Sequence, residues 1–384
     1  MKDRKEKYLF IIPTASINGA IIILMNFLEY MSKNSPGTHM ETIVQWGKDQ
    51  DPDTFFRSEL EKYGPVTFLM ELWEDEKIQL KNRILNEQID VIFYNSIISI
   101  DSQLLFKEKQ CKKIFYVHEM ERLLNLFNLK NHSELYNHKD NLFFAGSESV
   151  RQDLIRIVKI PGDRITVLHS FINTEEIKNK MKPLVQLEKY DVQYKMEKRF
   201  TIGFSGTFEL RKSADLLLPL VVAIRKKIKD PDIFWIGASP FNYETSTFDL
   251  VMHDVKTGGF ESNINFIPKT RDCLKYYQRF DVYVILSRED PFPVVNVEMG
   301  LLGIPVICFD NSGGSPDYTK MGGGVSVPYM DLGAMADKIY EFYMNPELLQ
   351  KYKKNAPPMV ENNFSVEVQA PKLLDKIKEF IKEN

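Results

Sequence analysis

The sequence predicts an α/β protein of two Rossmann-like, doubly wound domains facing each other across a cleft. Three observations lead there. Short apolar runs alternate with longer amphipathic stretches along nearly all 384 residues, as in parallel sheets covered on both faces by helices. At about 150 residues per domain the length accommodates two to three compact units. A charged stretch without apolar period, 174–198, interrupts the alternation and separates two similar series.

The first series opens on YLFIIP, a glycine turn and AIIILMNFLEYM, spanning Tyr8 to Leu28. Pro13, Thr14, Ser16, Asn18 and Gly19 divide this run into pieces too short to cross about 30 Å of hydrocarbon, so it reads as strand, loop and helix. Strands are expected at 9–12, 42–45, 66–69, 91–94, 113–117, 142–145 and 166–168, with helices at 76–87 and 149–158 among others. In the second series strands are expected at 200–204, 233–236, 264–267, 282–286, 306–309 and 324–327. Helices are expected there at 213–229, 271–280, 295–302 and 332–344. The domains are then 1–173 and 200–360, joined by a linker at 174–199. An amphipathic helix within 361–384 (Val368, Leu373, Leu374, Ile377, Phe380, Ile381) is expected to pack back on the first domain.

Composition narrows the class. Lys and Arg number 50 against 53 Asp and Glu, a net charge of −3, which argues against a protein that coats nucleic acid. A hydrophobic share of 43% is ample for cores and excludes disorder. Cys111, Cys273 and Cys308 are scattered without a CxxC, as expected in a reducing cytoplasm. The basic lead lacks a small-residue cleavage site, so no secretory leader is expected.

The stretch most informative for chemistry is Ser287-Arg-Glu-Asp-Pro-Phe-Pro-Val-Val-Asn-Val-Glu298, directly after a strand. Asp290 falls in the loop and Glu298 inside the next helix. Between them the helix start, near Pro293–Val295, offers free N–H groups that suit a phosphate. A carboxylate farther along can accept hydrogen bonds from paired hydroxyls, as in a ribose; the plain alternative is a helix-end charge and a surface residue. Upstream, Arg211 and Lys212 are read as a helix start, where two cations oppose the helix dipole and hint at an anionic ligand.

This window resembles the acidic-x7-Glu signature of the retaining glycosyltransferases of family 4, with Asp290 in place of the usual first Glu and Asp-Pro-Phe-Pro in place of a Gly-rich middle. Gly203-Phe-Ser-Gly206-Thr-Phe-Glu-Leu-Arg211-Lys212 is similar to the family's strand–loop–Lys segment, although Thr207 stands where an Arg is usual. The loop 311–317, Asn-Ser-Gly-Gly-Ser-Pro-Asp, resembles its Gly-Gly-x-Pro-Glu. Matching is good over about 201–356 and loose before it. The resemblance implies the GT-B fold, no permanently bound cofactor, a nucleotide-diphosphate sugar (UDP, GDP or TDP) as donor, and a saccharide or lipid-linked acceptor. It implies that Gly19, Gly206, Arg211, Lys212, Ile267, Phe292, Val294, Val295 and Glu298 hold the donor. His118, Lys212 and Asp290 would act at the reacting centre, with Arg211 compensating for Thr207.

No HxxH, HExxH or Cys/His spacing occurs, so no metal site is expected. Asp51-Pro-Asp53 is formally a DxD but precedes no long apolar strand. The segment 120–132 is amphipathic; it reads as a packed helix or as peripheral membrane contact near Lys107, Lys109, Lys112 and Lys113. The competing readings are an inactive homologue serving as a scaffold subunit and a nucleotide-sugar epimerase of the same fold.

Overall fold

A computed structural model describes residues 5–47, 55–181, 199–238 and 245–383. The chain divides into two compact units, one of residues 1–172 with 366–384 and one of 173–365.

The first unit holds a seven-stranded parallel sheet: β1 (Lys7–Thr14), β2 (His39–Trp46), β3 (Val66–Phe68), β4 (Val91–Tyr94), β5 (Lys112–Val117), β6 (Asn141–Ala145) and β7 (Ile165–Val167). Their order is β3-β2-β1-β4-β5-β6-β7. The second unit holds six parallel strands: β8 (Thr201–Ser205), β9 (Asp232–Ile236), β10 (Ile264–Ile267), β11 (Val282–Ile285), β12 (Val306–Phe309) and β13 (Gly324–Val327), in the order β10-β9-β8-β11-β12-β13. Near-continuous apolar runs such as Leu9–Ile12 become strands because helices cover both faces and bury every residue of them. Each sheet winds outward from its first strand in both directions. The turning points lie between β1 and β4 and between β8 and β11, where open α/β sheets form ligand crevices beyond the strand carboxyl ends.

Every expected strand has its counterpart within a residue or three of each end, whereas the helices differ more. The helix expected at 213–229 begins only at Leu217, after two 3-10 turns, and ends at Arg225. The one expected at 271–280 shortens to Leu274–Tyr277. A helix at Pro346–Phe364 was not anticipated, because Pro357 and Pro358 remove backbone donors within it. Burial of Ala356, Val360 and Phe364 holds it against the Val294–Leu301 helix. In the linker region Thr174–Lys180 is helical, capped by Asn173, whose Oδ1 accepts from the Glu176 N–H at 3.0 Å; 182–198 lie outside the described residues. The last helix, Val366–Lys382, belongs to the first unit: it packs on Gly19–Asn34, and the Lys112 ammonium lies 4.6 Å from the centre of the Phe380 ring. Among the described residues no helix is long and apolar enough to cross a membrane.

Candidate functional site

In the second unit the loops after β8 and β11 meet at the turning point. After β8, Gly206 has φ +129°, a conformation that side chains strain to reach. Its N–H donates to the Ile236 carbonyl (2.9 Å) and its carbonyl accepts from Trp235 Nε1 (3.0 Å). Lys212 folds across it; a Cβ here would stand 3.3 Å from Lys212 Cε. Arg211 and Lys212 lie in the 3-10 turn Leu210–Lys212, five residues ahead of the α-helix. The opposition to a helix dipole read from the sequence is therefore absent, since no α-helix begins at these cations.

After β11 the chain enters the loop carrying Asp290, which is buried. Its N–H donates to the Ser312 carbonyl and its carbonyl accepts from the Gly314 N–H, both at 2.9 Å. Gly314 is required there: a Cβ would lie 2.1 Å from the Pro291 carbonyl oxygen. The 311–317 loop thus buttresses Asp290. Lys212 Nζ donates to Asp290 Oδ2, with Arg211 Nη1 3.8 Å from the same oxygen. Arg211 also pairs with Glu209 (2.8 Å) and donates to the Glu289 carbonyl (3.3 Å). Two adjacent cations therefore meet one carboxylate from 78 residues away, Asp290, and one from their own turn, Glu209.

Pro293 precedes the Val294–Leu301 helix with no side-chain cap. The Val294 and Val295 amides lie ahead of the first intrahelical donor, the Asn296 N–H that bonds the Pro293 carbonyl, and stay available to a ligand. A cavity beside this helix end is lined by Ser205, Lys212, Tyr283, Ser287, Pro293 and Val295 over Phe204 and Trp235. Phe292 and Ile267 do not line it. The Phe292 ring is buried against Tyr318 and Phe364, and the Ile267 carbonyl accepts from the Gly237 and Ala238 amides. Sequence reading passed over Ser205 and Tyr283: a Tyr within an apolar strand reads as core. Ser205 Oγ lies 2.7 Å from Tyr283 Oη and accepts from Tyr277 Oη at 3.2 Å.

Glu298 is half-buried, and its carboxylate makes no hydrogen bond or ion pair among the described residues. Burial alone pushes its carboxyl up to about 7, because nothing nearby compensates the desolvated charge.

Gly19 and His118 belong to the first unit. Gly19 opens the helix that Asn18 caps through a bond from the Ile21 N–H (3.1 Å). His118 follows β5 with its ring centre 4.2 Å from that of Tyr116. Burial lowers its pKa to about 3, so the ring is neutral, and its buried Nε2 has no hydrogen-bond partner. Next to it, Glu119 accepts from Ser96 Oγ (2.5 Å) and from the Ile97 (3.3 Å) and His118 (3.1 Å) amides. Desolvation still pushes that carboxyl up to about 7. Within 120–132, Leu124 and Leu129 are core and Phe127 stacks on Trp46, while Leu126 is 69% exposed. Asp51 and Asp53 lie outside the described residues, among which no cluster of three metal-ligating side chains occurs.

Residues 186–359, less than half of the chain, match the family model described as glycosyl transferases group 1. The chain is 28% identical over 120 residues to an uncharacterized glycosyltransferase of Haemophilus influenzae, covering 31% of this chain and 32% of that one. It is 24% identical over 244 residues to the capsular polysaccharide biosynthesis glycosyltransferase CapM of Staphylococcus aureus, covering 62% of each. Both matches span less than two thirds of those relatives. The crystal structure of Anabaena Alr3699/HepE in complex with UDP and glucose superposes with a TM-score of 0.81 at 15% identity, covering 97% of this chain and 100% of that one. At that identity the likeness is one of fold, the two-domain GT-B fold.

Proposed function

We propose that the chain is a glycosyltransferase that moves a sugar from a nucleotide-diphosphate donor to a hydroxyl of a saccharide or lipid-linked acceptor, with retention of anomeric configuration as in family 4. The observation that carries this reading is the cavity of the second unit, where the Lys212 ammonium and an uncapped helix N-terminus line one space. The same region matches the group 1 model.

The chemistry follows from charge. A departing diphosphate gains negative charge as the glycosidic bond breaks, and donors already aimed at it lower the barrier without reorganising. Lys212 and the Val294 and Val295 amides have that role. Asp290 holds Lys212 in place through Oδ2, which leaves Oδ1 for a hydroxyl of the transferred sugar. Glu298 accepts from the ribose hydroxyls, and the unpartnered Nε2 of neutral His118 is offered to the sugar. The similarity to CapM, a capsular polysaccharide biosynthesis glycosyltransferase, makes cell-surface polysaccharide assembly the setting proposed here.

Incubating the full chain with UDP-, GDP- and TDP-sugars tests this. Nucleotide release or a donor-induced rise in melting temperature is expected with one of them. Tight binding without turnover on any acceptor would favour the scaffold reading, and interconversion of the sugar the epimerase reading.

A further inference from the structure

One guanidinium outside the cavity is bound almost wholly to the turn that carries Lys212. Arg288 Nη1 donates to the Leu210 carbonyl (2.6 Å), to Ser213 Oγ (3.1 Å) and to Asp215 Oδ1 (2.8 Å), and Nη2 donates to Asp215 Oδ2 (2.7 Å). Its backbone N–H donates to the Arg211 carbonyl at 2.9 Å. These bonds touch Leu210, Arg211, Ser213 and Asp215, the residues on either side of Lys212, from 73 to 78 positions away in sequence.

The turn needs such a hold. Ser213 is fully buried and has φ +57°, the left-handed region that a non-glycine residue occupies only when its surroundings over-determine it. The α-helix does not begin until Leu217, so the ladder that would fix a helical Lys212 is missing. A planar fork bonded to a carboxylate through two nitrogens supplies direction as well as charge, which a lysine ammonium cannot reproduce.

We infer that Arg288 and Asp215 form a positioning clamp for Lys212: they hold the strained Leu210–Ser213 turn so that the ammonium stands at the cavity beside the Val294–Leu301 helix end. The inference rests on the reading of that cavity as a nucleotide-diphosphate site. Arg288 touches no ligand; it acts through the turn. The clamp also ties the loop after β8 to the loop after β11, so Lys212 and Asp290 are placed by one set of bonds.

The experiment is a double-mutant cycle on the full chain, read by titration calorimetry with UDP, GDP and TDP on the wild type, Arg288→Ala, Lys212→Ala and the double variant. Each single substitution is expected to weaken binding of the accepted nucleotide about tenfold or more. The double variant should bind within about threefold of Lys212→Ala alone, since the clamp has nothing left to position. Arg288→Lys should not restore affinity. Losses that multiply in the double variant, or wild-type affinity in Arg288→Ala, overturn the clamp while leaving the nucleotide site standing. Failure of the wild type to bind any of the three overturns both. Should Arg288→Ala not fold, Asp215→Asn enters the same cycle, and additivity there overturns the inference equally. Amide hydrogen exchange supplies a readout that general destabilisation would not give. Faster exchange confined to 210–216 is expected in Arg288→Ala, and uniform acceleration across the second unit overturns a local role.

Discussion

The strand carboxyl ends of the two units share a topology and differ in electrostatics. In the second unit the crevice residues are charged and paired: Lys212 with Asp290, Arg211 with Glu209, Arg288 with Asp215. In the first unit many are uncharged and buried. Seven of the nine buried side-chain atoms without a hydrogen-bond partner among the described residues belong to the first unit, and Asn95 Oδ1 and His118 Nε2 follow strand carboxyl ends. Each end also holds a carboxylate pushed up to about 7, Glu298 and Glu119. The two reach that value differently: Glu119 accepts three hydrogen bonds and Glu298 none.

The largest effect is expected at Lys212. A charge-assisted hydrogen bond is worth about 1.5–3 kcal/mol, so Lys212→Ala should lower kcat/KM by roughly ten- to 150-fold. The same change leaves buried Asp290 with only Arg211 at 3.8 Å, so melting temperature should fall too. Adding Asp290→Asn should recover melting temperature and leave turnover low. Full turnover in Lys212→Ala would remove the charged end of the comparison.

The two carboxylates should then separate in stability. Glu119→Ala strands the Ser96 hydroxyl and the Ile97 and His118 amides, at about 1–3 kcal/mol for each buried unsatisfied group. Glu298→Ala strands nothing, so at pH 4, where the carboxyl is protonated, its melting temperature should stay close to the wild type, while nucleotide affinity at neutral pH drops. Equal melting shifts in the two variants would show that their hydrogen bonding is not what distinguishes them.

How far the sequence revealed this depends on the range of the interaction. Strands such as β4 and β12 were legible because a short apolar run bounded by polar residues has few other uses. The position of Glu298 inside a helix following Asp290 was legible from spacing. Pairings between loops were not: Lys212 and Asp290 are 78 residues apart, and nothing local marks them as partners. Gly314 reads as an ordinary turn residue until the Pro291 carbonyl is placed against it. Glu119 stood beside a residue singled out for chemistry, yet two of its hydrogen-bond donors, Ser96 and Ile97, come from a different strand's loop. The helix at Pro346–Phe364 was hidden by two prolines whose local cost tertiary packing offsets.

A smaller effect follows from the raised Glu298 carboxyl. Its ordinary value is 4.5 and its folded value about 7, so the folded protein binds this proton more tightly than the unfolded chain. Glu298 therefore costs no stability below pH 4.5, costs progressively more between 4.5 and 7, and has reached its full penalty above 7. Glu298→Gln should gain melting temperature relative to the wild type at pH 8 and not at pH 4. Ribose hydroxyls favour the ionised form, so wild-type nucleotide affinity should rise from pH 6 toward 7 and level off above it. In Glu298→Gln the profile should be flat. A profile unchanged by the substitution would assign the titration to another group.

The smallest expected effect is that of chelation, which should be none. In the proposed function Lys212 and the helix-end amides are the donors that neutralise a diphosphate directly. The nearest carboxylate, Asp290, is already engaged by Lys212, and Glu298 stands without a second carboxylate, histidine or cysteine set to form a three-ligand cluster among the described residues. Turnover measured before and after dialysis against EDTA should be the same within error. Loss of activity on chelation, restored by a divalent ion, would move the charge balance away from the loops after β8 and β11. The acidic pair Asp51 and Asp53 would then be the first residues to substitute, and retention of metal dependence in Asp51→Ala with Asp53→Ala would clear them.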